Sequence, residues 1–211
     1  MNKIVEIWNE RYSGSEYVYG ENPNAYLKEQ LATLSVGDIL FVGEGEGRNA
    51  VYAATIGWNV SAYDISSEGK KKALQLANKH NVHIDYHVGE LKDLNYEKEQ
   101  FDVIAFVYTH FSGETRSMIH KALSLYLRPG GTIIMEAFSK NQIKNQIKGD
   151  GGGGPKNIDM LYSLEEIRSD FDNFKILELI ETEVYLTEGD FHSGIGSIIR
   201  FVGQKDGSAI L

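Results

Sequence analysis

The sequence predicts a single α/β domain built on a doubly wound, mostly parallel sheet of seven strands. From residue 38 onward, short apolar runs alternate with longer segments of helical period, a pattern typical of parallel strands joined by helical crossovers. A glycine-rich turn follows the first apolar run, and two extended segments of alternating polarity come near the end of the chain. The 211 residues, 42% of them hydrophobic, suffice for one such domain with its own core.

The predicted elements begin with two helices and continue as a β-α alternation. Helical periodicity over residues 3–12 and 24–34 predicts an N-terminal helical cap, residues 1–36, in front of the sheet core at 37–138. Strands are predicted at 38–42, 59–63, 83–88, 102–107 and 132–137, and helices between and after them at 49–56, 67–80, 114–127 and 164–171.

Glycine and proline mark where several of these elements end. Gly57 and the Arg128-Pro129-Gly130-Gly131 turn are predicted as C-terminal stops of two helices. Residues 139–162 contain the run from Gly149 to Pro155, which we interpret either as a lid over a site or as a plain flexible loop. The last part, 163–204, holds the final helix and extended segments at 175–185 and 197–203, which predict an antiparallel hairpin.

Composition excludes several classes of protein. The net charge of -9 opposes contact with phosphates, and Lys70 to Lys72 fit the solvated face of a helix, so no nucleic-acid partner is expected. No apolar stretch approaches the ~20 residues of a membrane span and no signal peptide is visible, so we expect a cytoplasmic protein without a membrane partner. Because cysteine is absent and the six histidines are not clustered, no metal site is predicted. A monomer or a homodimer is expected.

The glycine-rich turn Gly43-Glu44-Gly45-Glu46-Gly47, followed by Asn49, is the most informative segment. Glycines after the first strand of a doubly wound sheet let the backbone approach an adenosine-containing ligand. Glu44 and Glu46 place negative charge where a dinucleotide presents its pyrophosphate, whereas S-adenosylmethionine carries a sulfonium and an ammonium. The turn therefore predicts S-adenosylmethionine as the cofactor, with Gly43, Glu44, Gly45, Gly47 and Asn49 in contact with it.

Further cofactor contacts are expected where the next strands end. Asp64 is predicted to accept hydrogen bonds from both ribose hydroxyls, with Ile65 beside it; the alternative is that Asp64 caps the following helix. Glu90 is predicted to accept the adenine amine, with the backbone at Leu91 meeting the ring. Val107 ends the fourth strand, near the expected position of the donor methyl.

Tyr108 and His110 lie at the predicted mouth of the same cleft. His110 has two interpretations, a general base or a histidine packed among aromatic rings for structural reasons. The Asn/Asp-Pro-Pro-Tyr motif of nucleobase and glutamine amino methyltransferases is missing, which argues against those acceptors.

Together these residues resemble the class I S-adenosylmethionine-dependent methyltransferases, and more narrowly the small-molecule group that includes the tellurite-resistance and thiopurine methyltransferases. The resemblance covers nearly the whole chain and implies a Rossmann-like sheet. Its general features are the glycine turn, Asp64 and Leu127-Arg128-Pro129-Gly130-Gly131. The narrower features are Trp8 to Tyr12, Tyr19 to Asn24, Gly47-Arg48-Asn49, Gly153-Gly154-Pro155, and Glu188-Gly189 with His192 and Arg200.

The resemblance also implies roles and two departures. It implies that Tyr19 lies over the transfer site and that His192 and Arg200 face a small-molecule methyl acceptor. Phe41 replaces the acidic residue that commonly precedes the glycine turn, and Glu90 replaces the usual aspartate.

Methyl transfer from a sulfonium is an in-line displacement in which alignment and exclusion of water dominate, so no catalytic triad is expected. A soft chalcogen anion or thiolate needs no base, whereas an oxygen or nitrogen acceptor gives His110 a role. The alternatives are a nucleotide-dependent oxidoreductase on the same sheet and a non-catalytic cofactor-binding protein.

Overall fold

A computed structural model describes residues 3–149 and 152–207 and contains one mixed sheet of seven strands. The strands are β1 (Asp38–Val42), β2 (Asn59–Asp64), β3 (Asp85–Val88), β4 (Phe101–Val107), β5 (Leu127–Phe138), β6 (Phe174–Glu188) and β7 (His192–Lys205). The helices are α1 (Lys3–Tyr12), α2 (Ala25–Leu31), α3 (Arg48–Thr55), α4 (Ser67–Lys79), α5 (Gly113–Ser124), α6 (Gln142–Lys148) and α7 (Leu164–Asp170). Short 3-10 turns occupy Leu91–Asp93 and Ile158–Met160.

The strand order in the sheet is β3-β2-β1-β4-β5-β7-β6. The first five strands run parallel, and β7 pairs antiparallel with both β5 and β6. The order reverses between β1 and β4, which is where ligands bind in open sheets of this kind. The predicted Rossmann-like fold with a C-terminal antiparallel hairpin is confirmed.

Helices cover both faces of the sheet and bury two main clusters of apolar side chains. One cluster joins α2, α3 and α4 to the sheet around Phe41 and Ala105. The other joins α5 and α7 to the opposite face around Phe106 and Phe201. The central strands consequently read as nearly continuous apolar runs, as both of their faces are buried.

The Arg128-Pro129-Gly130-Gly131 segment does not form the predicted turn at the end of a helix. Helix α5 already ends at Ser124, and residues 128–131 belong to β5, where the pairing with β4 shifts register between Phe101 and Val103. Pro129 has no N–H to donate, and Gly130 adopts a φ of 78°, so the segment fits a bulge in a strand.

Two more expectations about the second half need correction. Residues 142–148 form α6, which apolar periodicity did not reveal because its buried side chains, Gln142 and Asn145, are amides. The hairpin is also longer than predicted, since β6 and β7 stay paired as far as Glu188 and His192. Its outer end extends beyond the last residue of β5, Phe138, that pairs with β7.

The part of the chain that the structure describes contains no helix long and apolar enough to cross a membrane. Likewise, residues 3–149 and 152–207 contain no group of three or more histidine, aspartate or glutamate side chains arranged to hold a metal ion.

Candidate active site at the carboxyl ends of the strands

The glycine turn after β1 lies at the carboxyl ends of the parallel strands, as predicted. Gly43, Gly45 and Gly47 have φ angles of 63°, 61° and 89°, a left-handed conformation that favours glycine. At Gly45 a side chain is also excluded by space, because a Cβ atom there would lie 2.6 Å from the hydroxyl of Tyr12. Helix α1 therefore packs against this turn.

Asp64 ends β2 with its carboxylate directed at the glycine turn. One oxygen accepts the Gly45 N–H at 3.0 Å, and the other accepts the Ser66 N–H at 2.8 Å. The cap of α4 is Ser66, whose hydroxyl accepts the Gly69 N–H, so the alternative interpretation of Asp64 as a helix cap is wrong. Burial raises the pKa of Asp64 to about 6. With about four acceptor sites per carboxylate, Asp64 keeps capacity for ligand hydroxyls.

Glu44 is buried beneath the first turn of α3. Its Oε1 accepts the N–H groups of Asn49 at 2.9 Å and Ala50 at 2.7 Å, which helps to satisfy the free amides at the start of that helix. Burial nevertheless raises the pKa of Glu44 to about 7. When it is ionised, Glu44 therefore places a negative charge beside the glycine turn.

Glu46 does not present the free negative charge that we predicted. Its carboxylate forms a buried ion pair with Lys72 at 2.5 Å and accepts the Val18 N–H at 2.8 Å. The interaction ties Val18 to α4, and the prediction that Lys72 lies on a solvated helix face is wrong, because its side chain is buried against Glu46. Asn49 is similarly engaged, because its side-chain oxygen accepts the Asn24 N–H at 2.9 Å. Its predicted cofactor contact has no support in this geometry.

The other predicted cofactor residues lie around the same opening. Ile65 and Val107 are half-buried at the ends of β2 and β4, and Leu91 begins the 3-10 turn after β3. Glu90 is exposed and lies 2.9 Å from Lys92, while its N–H donates to Asp93. Contacts of these residues with the cofactor remain predictions.

His110 is engaged through both ring nitrogens. Its Nδ1 lies 2.7 Å from the Met160 carbonyl oxygen and its Nε2 lies 3.2 Å from the Phe138 backbone nitrogen. Only the neutral ring with its proton on Nδ1 satisfies both partners. Removal from water lowers the pKa of His110 to about 4. Of the two interpretations, the packed structural histidine fits and the general base does not.

A cleft of about 300 Å³ lies beside the carboxyl end of β5, between the N-terminal segment and the end of the β6–β7 hairpin. It is lined by Tyr19, Gly20, Asn22, Pro23, Asn24, Ala25, Tyr26, Arg48, Glu136, Val184, Tyr185, Leu186, Thr187, Glu188, Gly189 and Arg200. Tyr19, predicted to lie over the transfer site, and Arg200, predicted to face the acceptor, are among these residues. His192 packs behind them, with its ring 4.6 Å from that of Tyr19 and 4.4 Å from that of Tyr108.

Glu136 is a functional candidate that the sequence analysis did not single out. Its side chain is almost fully buried and accepts from Arg200 Nε at 2.7 Å, Tyr108 hydroxyl at 2.8 Å and Asn24 Nδ2 at 2.7 Å. The sequence did contain a signal for Glu136, which is a glutamate inside the apolar run of a predicted central strand. A charged residue is buried in this way only when it has a partner, so its position indicated a paired carboxylate. Tyr108, with a φ of 53° at the end of β4, is one of the few non-glycine residues in the left-handed region.

Glu188 forms a second polar centre at the end of β6. It lies 2.8 Å from Arg48 Nη2, 3.0 Å from Asn24 Nδ2 and 3.5 Å from His192 Nδ1. Burial alone raises the pKa of this carboxyl, but the contacts with His192 and Arg48 outweigh it and lower the pKa of Glu188 to about 2. Burial lowers the pKa of His192, and Glu188 opposes that shift. Glu188 and Arg48 therefore form an ion pair in the wall of the cleft, and His192 packs behind it.

The electrostatics of the glycine turn fit a cationic ligand. Glu44 and Asp64 are two buried carboxyl groups whose contacts are mainly backbone amides, and burial raises both pKa values. A bound sulfonium or ammonium group nearby stabilises their ionised forms, whereas a pyrophosphate opposes them. The residues present are thus suited to S-adenosylmethionine.

Comparisons with known proteins agree with this geometry. Residues 39–131 match the family model described as a methyltransferase domain. TehB from Haemophilus influenzae superimposes with a TM-score of 0.70 and 16% identity over 96% of this chain and 67% of that one. Magnesium protoporphyrin IX methyltransferase (ChlM) from Synechocystis PCC 6803, solved with bound SAH, superimposes with a TM-score of 0.67. The two sequences are 16% identical over 97% of this chain and 96% of that one. A structure described under the conversion of a disulfide bond into a thioacetal group during echinomycin biosynthesis superimposes with a TM-score of 0.74. Its sequence is 19% identical over 98% of this chain and 94% of that one. No curated protein matches the sequence.

Proposed function

We propose that the chain is a class I S-adenosylmethionine-dependent methyltransferase, and that it methylates a small molecule bound in the cleft between the N-terminal segment and the β6–β7 hairpin. The observation that carries this proposal is the position of the cleft. It begins at Glu136, which the Tyr108 hydroxyl joins to the end of β4, next to the glycine turn. A volume of about 300 Å³ lies within the range of small-molecule pockets.

The proposed reaction is a direct in-line displacement. S-adenosylmethionine, when bound, supplies a methyl group on a sulfur that is already an activated leaving group. The protein then has to orient the acceptor and exclude water, and both tasks fall to the residues around the cleft. Tyr19 lines the cleft and is backed by the rings of His192 and Phe138, while Arg48 and Arg200 provide positive charge.

A thiolate or another soft anionic nucleophile is the acceptor type that these residues support best. His110 is not available as a base, and His192 is held against Glu188. The guanidinium of Arg200 uses Nε for Glu136 and stands over the ring of Tyr26 at 4.6 Å, with a quarter of its side chain exposed to the cleft. One of the similar structures is described by the conversion of a disulfide bond into a thioacetal group, which is chemistry at sulfur.

We propose that the segment around Gly152 to Pro155 and the hairpin end together form the lid of this cleft. Gly153 and Gly154 lie against His192 and the ring of Phe138, so close that a Cβ atom would meet them at 2.9 Å and 2.8 Å. The side-chain amide of Gln146 donates to the carbonyl groups of Gly153, Gly154 and Pro155. These contacts favour a lid over a plain loop.

The experiment is a transfer assay with S-adenosylmethionine labelled in its methyl group. A panel of small thiols, chalcogen oxyanions, phenols, carboxylates and amines, with protein and nucleic acid as separate samples, is incubated with the enzyme, and labelled product is separated by chromatography. We expect label in a thiol or chalcogen product and none in protein or nucleic acid. Label that appears only with amines, or only in a macromolecule, would contradict the proposed acceptor class.

A further inference from the structure

Asn24 joins the two polar centres of the cleft through a single nitrogen. Its Nδ2 donates to Glu136 Oε1 at 2.7 Å and to Glu188 Oε1 at 3.0 Å. Its other polar groups are also used, since Oδ1 accepts the Leu27 N–H and the backbone N–H donates to Asn49 Oδ1, both at 2.9 Å. The residue is 1% exposed. Both amide hydrogens thus have carboxylate partners.

Helix capping alone does not account for these contacts. Asn24 begins α2, where serine, threonine or aspartate would accept the Leu27 N–H equally well. None of those three residues supplies two N–H groups on one atom. The feature that requires asparagine is therefore the pair of bonds to Glu136 and Glu188.

The two carboxylates belong to parts of the fold with different freedom. Glu136 lies within β5, a central strand that is paired on both sides. Glu188 lies where β6 ends, at the outer end of the hairpin, which meets the N-terminal segment through the Asp190 N–H and the Val18 carbonyl at 3.2 Å. Asn24 consequently fastens the outer hairpin to the fixed sheet, across the cleft that lies between them.

Charge makes this bridge necessary. Two carboxylates within hydrogen-bond reach of one nitrogen repel each other, and the ion pairs of Glu136 with Arg200 and of Glu188 with Arg48 offset only part of this repulsion. Without the amide hydrogens between them, that repulsion pushes the end of the hairpin away from β5. Among the described residues, the side-chain amide of Asn24 is the only group that hydrogen-bonds to both Glu136 and Glu188.

We propose that Asn24 is a positioning residue that holds the end of the β6–β7 hairpin closed over the cleft and thereby keeps Arg48, Glu136, Glu188 and Arg200 in register around the acceptor. The inference rests on the proposed use of this cleft as the acceptor site. Opening for acceptor entry breaks the Asn24–Glu188 contact, and closing remakes it.

Hydrogen exchange of the full-length protein without cofactor or acceptor tests this inference independently of the proposed reaction. Asn24→Asp and Asn24→Ser both keep a side-chain cap for α2 and remove the Nδ2 donor. Residues 186–192 should exchange at least about tenfold faster in both variants, the factor expected for loss of one hydrogen bond to a charged group. The effect should be larger in Asn24→Asp, which adds a third negative charge.

Asn95→Asp is the matched control, because it makes the same chemical change at an exposed residue that does not line the cleft. It should leave exchange at 186–192 unchanged. Unchanged exchange there in the two Asn24 variants, or acceleration no greater than that of β1 and β4, would reduce Asn24 to a helix cap and overturn the proposal. If Asn24→Asp does not fold, Asn24→Ser decides between these outcomes.

A double variant that reverses the direction of the hydrogen bond between residues 24 and 188 tests the bond itself, because general loss of structure at Asn24 would not be restored by a change at Glu188. In Asn24→Asp with Glu188→Gln, the glutamine amide is the donor and the aspartate is the acceptor, while the net charge of the pair is unchanged. Exchange at 186–192 should return part of the way towards wild type, relative to Asn24→Asp alone. Additive acceleration in the double variant would contradict a direct bond between the two residues.

Discussion

Single carboxyl groups around the cleft differ mainly in whether a cation or only backbone amides neutralise them. Glu46 has Lys72, Glu136 has Arg200 and Glu188 has Arg48, all within 2.8 Å. Glu44 and Asp64 are bonded chiefly to backbone N–H groups, and burial raises the pKa values of both. The charge that a cationic cofactor can complement is therefore concentrated on these two residues.

Asp64→Asn is expected to weaken the binding of S-adenosylhomocysteine by about 1–3 kcal/mol, because ligand hydroxyls lose a charged acceptor. Isothermal titration calorimetry measures this directly. Asp85→Asn, at the opposite end of the neighbouring strand β3, is the matched control and should bind as wild type does. Equal affinity of Asp64→Asn and wild type would restrict Asp64 to holding the glycine turn.

The raised pKa values predict that affinity for S-adenosylmethionine depends on pH. The ionised carboxylates attract the cation, and in the free protein the pKa is about 6 for Asp64 and about 7 for Glu44. Binding therefore releases protons, and affinity should rise from pH 5.5 towards about 7.5 and then level off. S-adenosylhomocysteine, which lacks the sulfonium charge, should show a smaller rise.

Calorimetric titrations at several pH values, each in two buffers of different ionisation enthalpy, measure both the affinity and the number of protons released. Glu44→Gln should remove the upper part of the rise and leave the lower part. A flat profile for S-adenosylmethionine in the wild-type protein would show that neither carboxyl group senses the cofactor.

At the scale of elements, the sequence predicted what apolar periodicity encodes. The strands β1 to β4 and the helices α1, α4 and α7 are confirmed. The pattern is clearest in β1, β4 and the second half of α4, where the buried side chains are apolar. Helix α6 escaped prediction since its buried face is made of Gln142 and Asn145, whose amides bond to β7 and to the glycine segment. A helix that buries polar side chains in this way can be predicted only when the hydrogen-bond partners, which are distant in sequence, are known.

The candidate site shows the same division. The glycine turn and Asp64 were predictable because a local pattern places them at one edge of the sheet. Glu136 and Asn24 were not, as their bonds join residues that are 112 positions apart. The free charge expected of Glu46 was wrong for the same reason, since its partner Lys72 is on α4.

Two glycines near the end of α6 allow backbone strain and packing to be separated. Gly149 and Gly154 have φ angles of 82° and 86°, but a Cβ atom at Gly149 meets nothing within 4 Å, whereas one at Gly154 lies 2.8 Å from the Phe138 ring. Gly149→Ala should cost about 1 kcal/mol of unfolding free energy from strain alone. Gly154→Ala should cost about 1–3 kcal/mol more, because the ring has to move.

Urea unfolding of the two variants and wild type provides the comparison. Equal losses in Gly149→Ala and Gly154→Ala would mean that the glycine segment is not packed against Phe138, and would remove the main support for its role as a lid.

At the scale of the whole molecule, the reversal of strand order places an opening between β1 and β4, and the helical cap and the hairpin enclose it from two sides. A sheet of this order accommodates dinucleotides as readily as S-adenosylmethionine, so the fold alone does not choose between them. The choice is made by the charge at the glycine turn. After Glu46 is paired with Lys72, that charge is supplied by Glu44 and Asp64.

S-adenosylmethionine at sub-millimolar concentration should therefore raise the melting temperature, whereas NAD and NADP should have no comparable effect. Two like charges about 6 Å apart at an effective dielectric near 20 repel by roughly 3 kcal/mol, which lowers affinity about a hundredfold. The same distance to a sulfonium gives an attraction of that order. Differential scanning fluorimetry with the three ligands, followed by calorimetry, makes the comparison.

Variants of the two glutamates identify the source of this selectivity. Glu44→Gln should weaken S-adenosylmethionine more than S-adenosylhomocysteine, because only the former carries the sulfonium. Glu46→Gln should instead lower stability, as it leaves Lys72 buried without its partner and costs about 3 kcal/mol or more, with little change in the ratio of the two affinities. Equal effects of Glu44→Gln on both ligands would locate the discrimination elsewhere, and clear stabilisation of the wild-type protein by NAD would contradict an electrostatic origin of the cofactor preference.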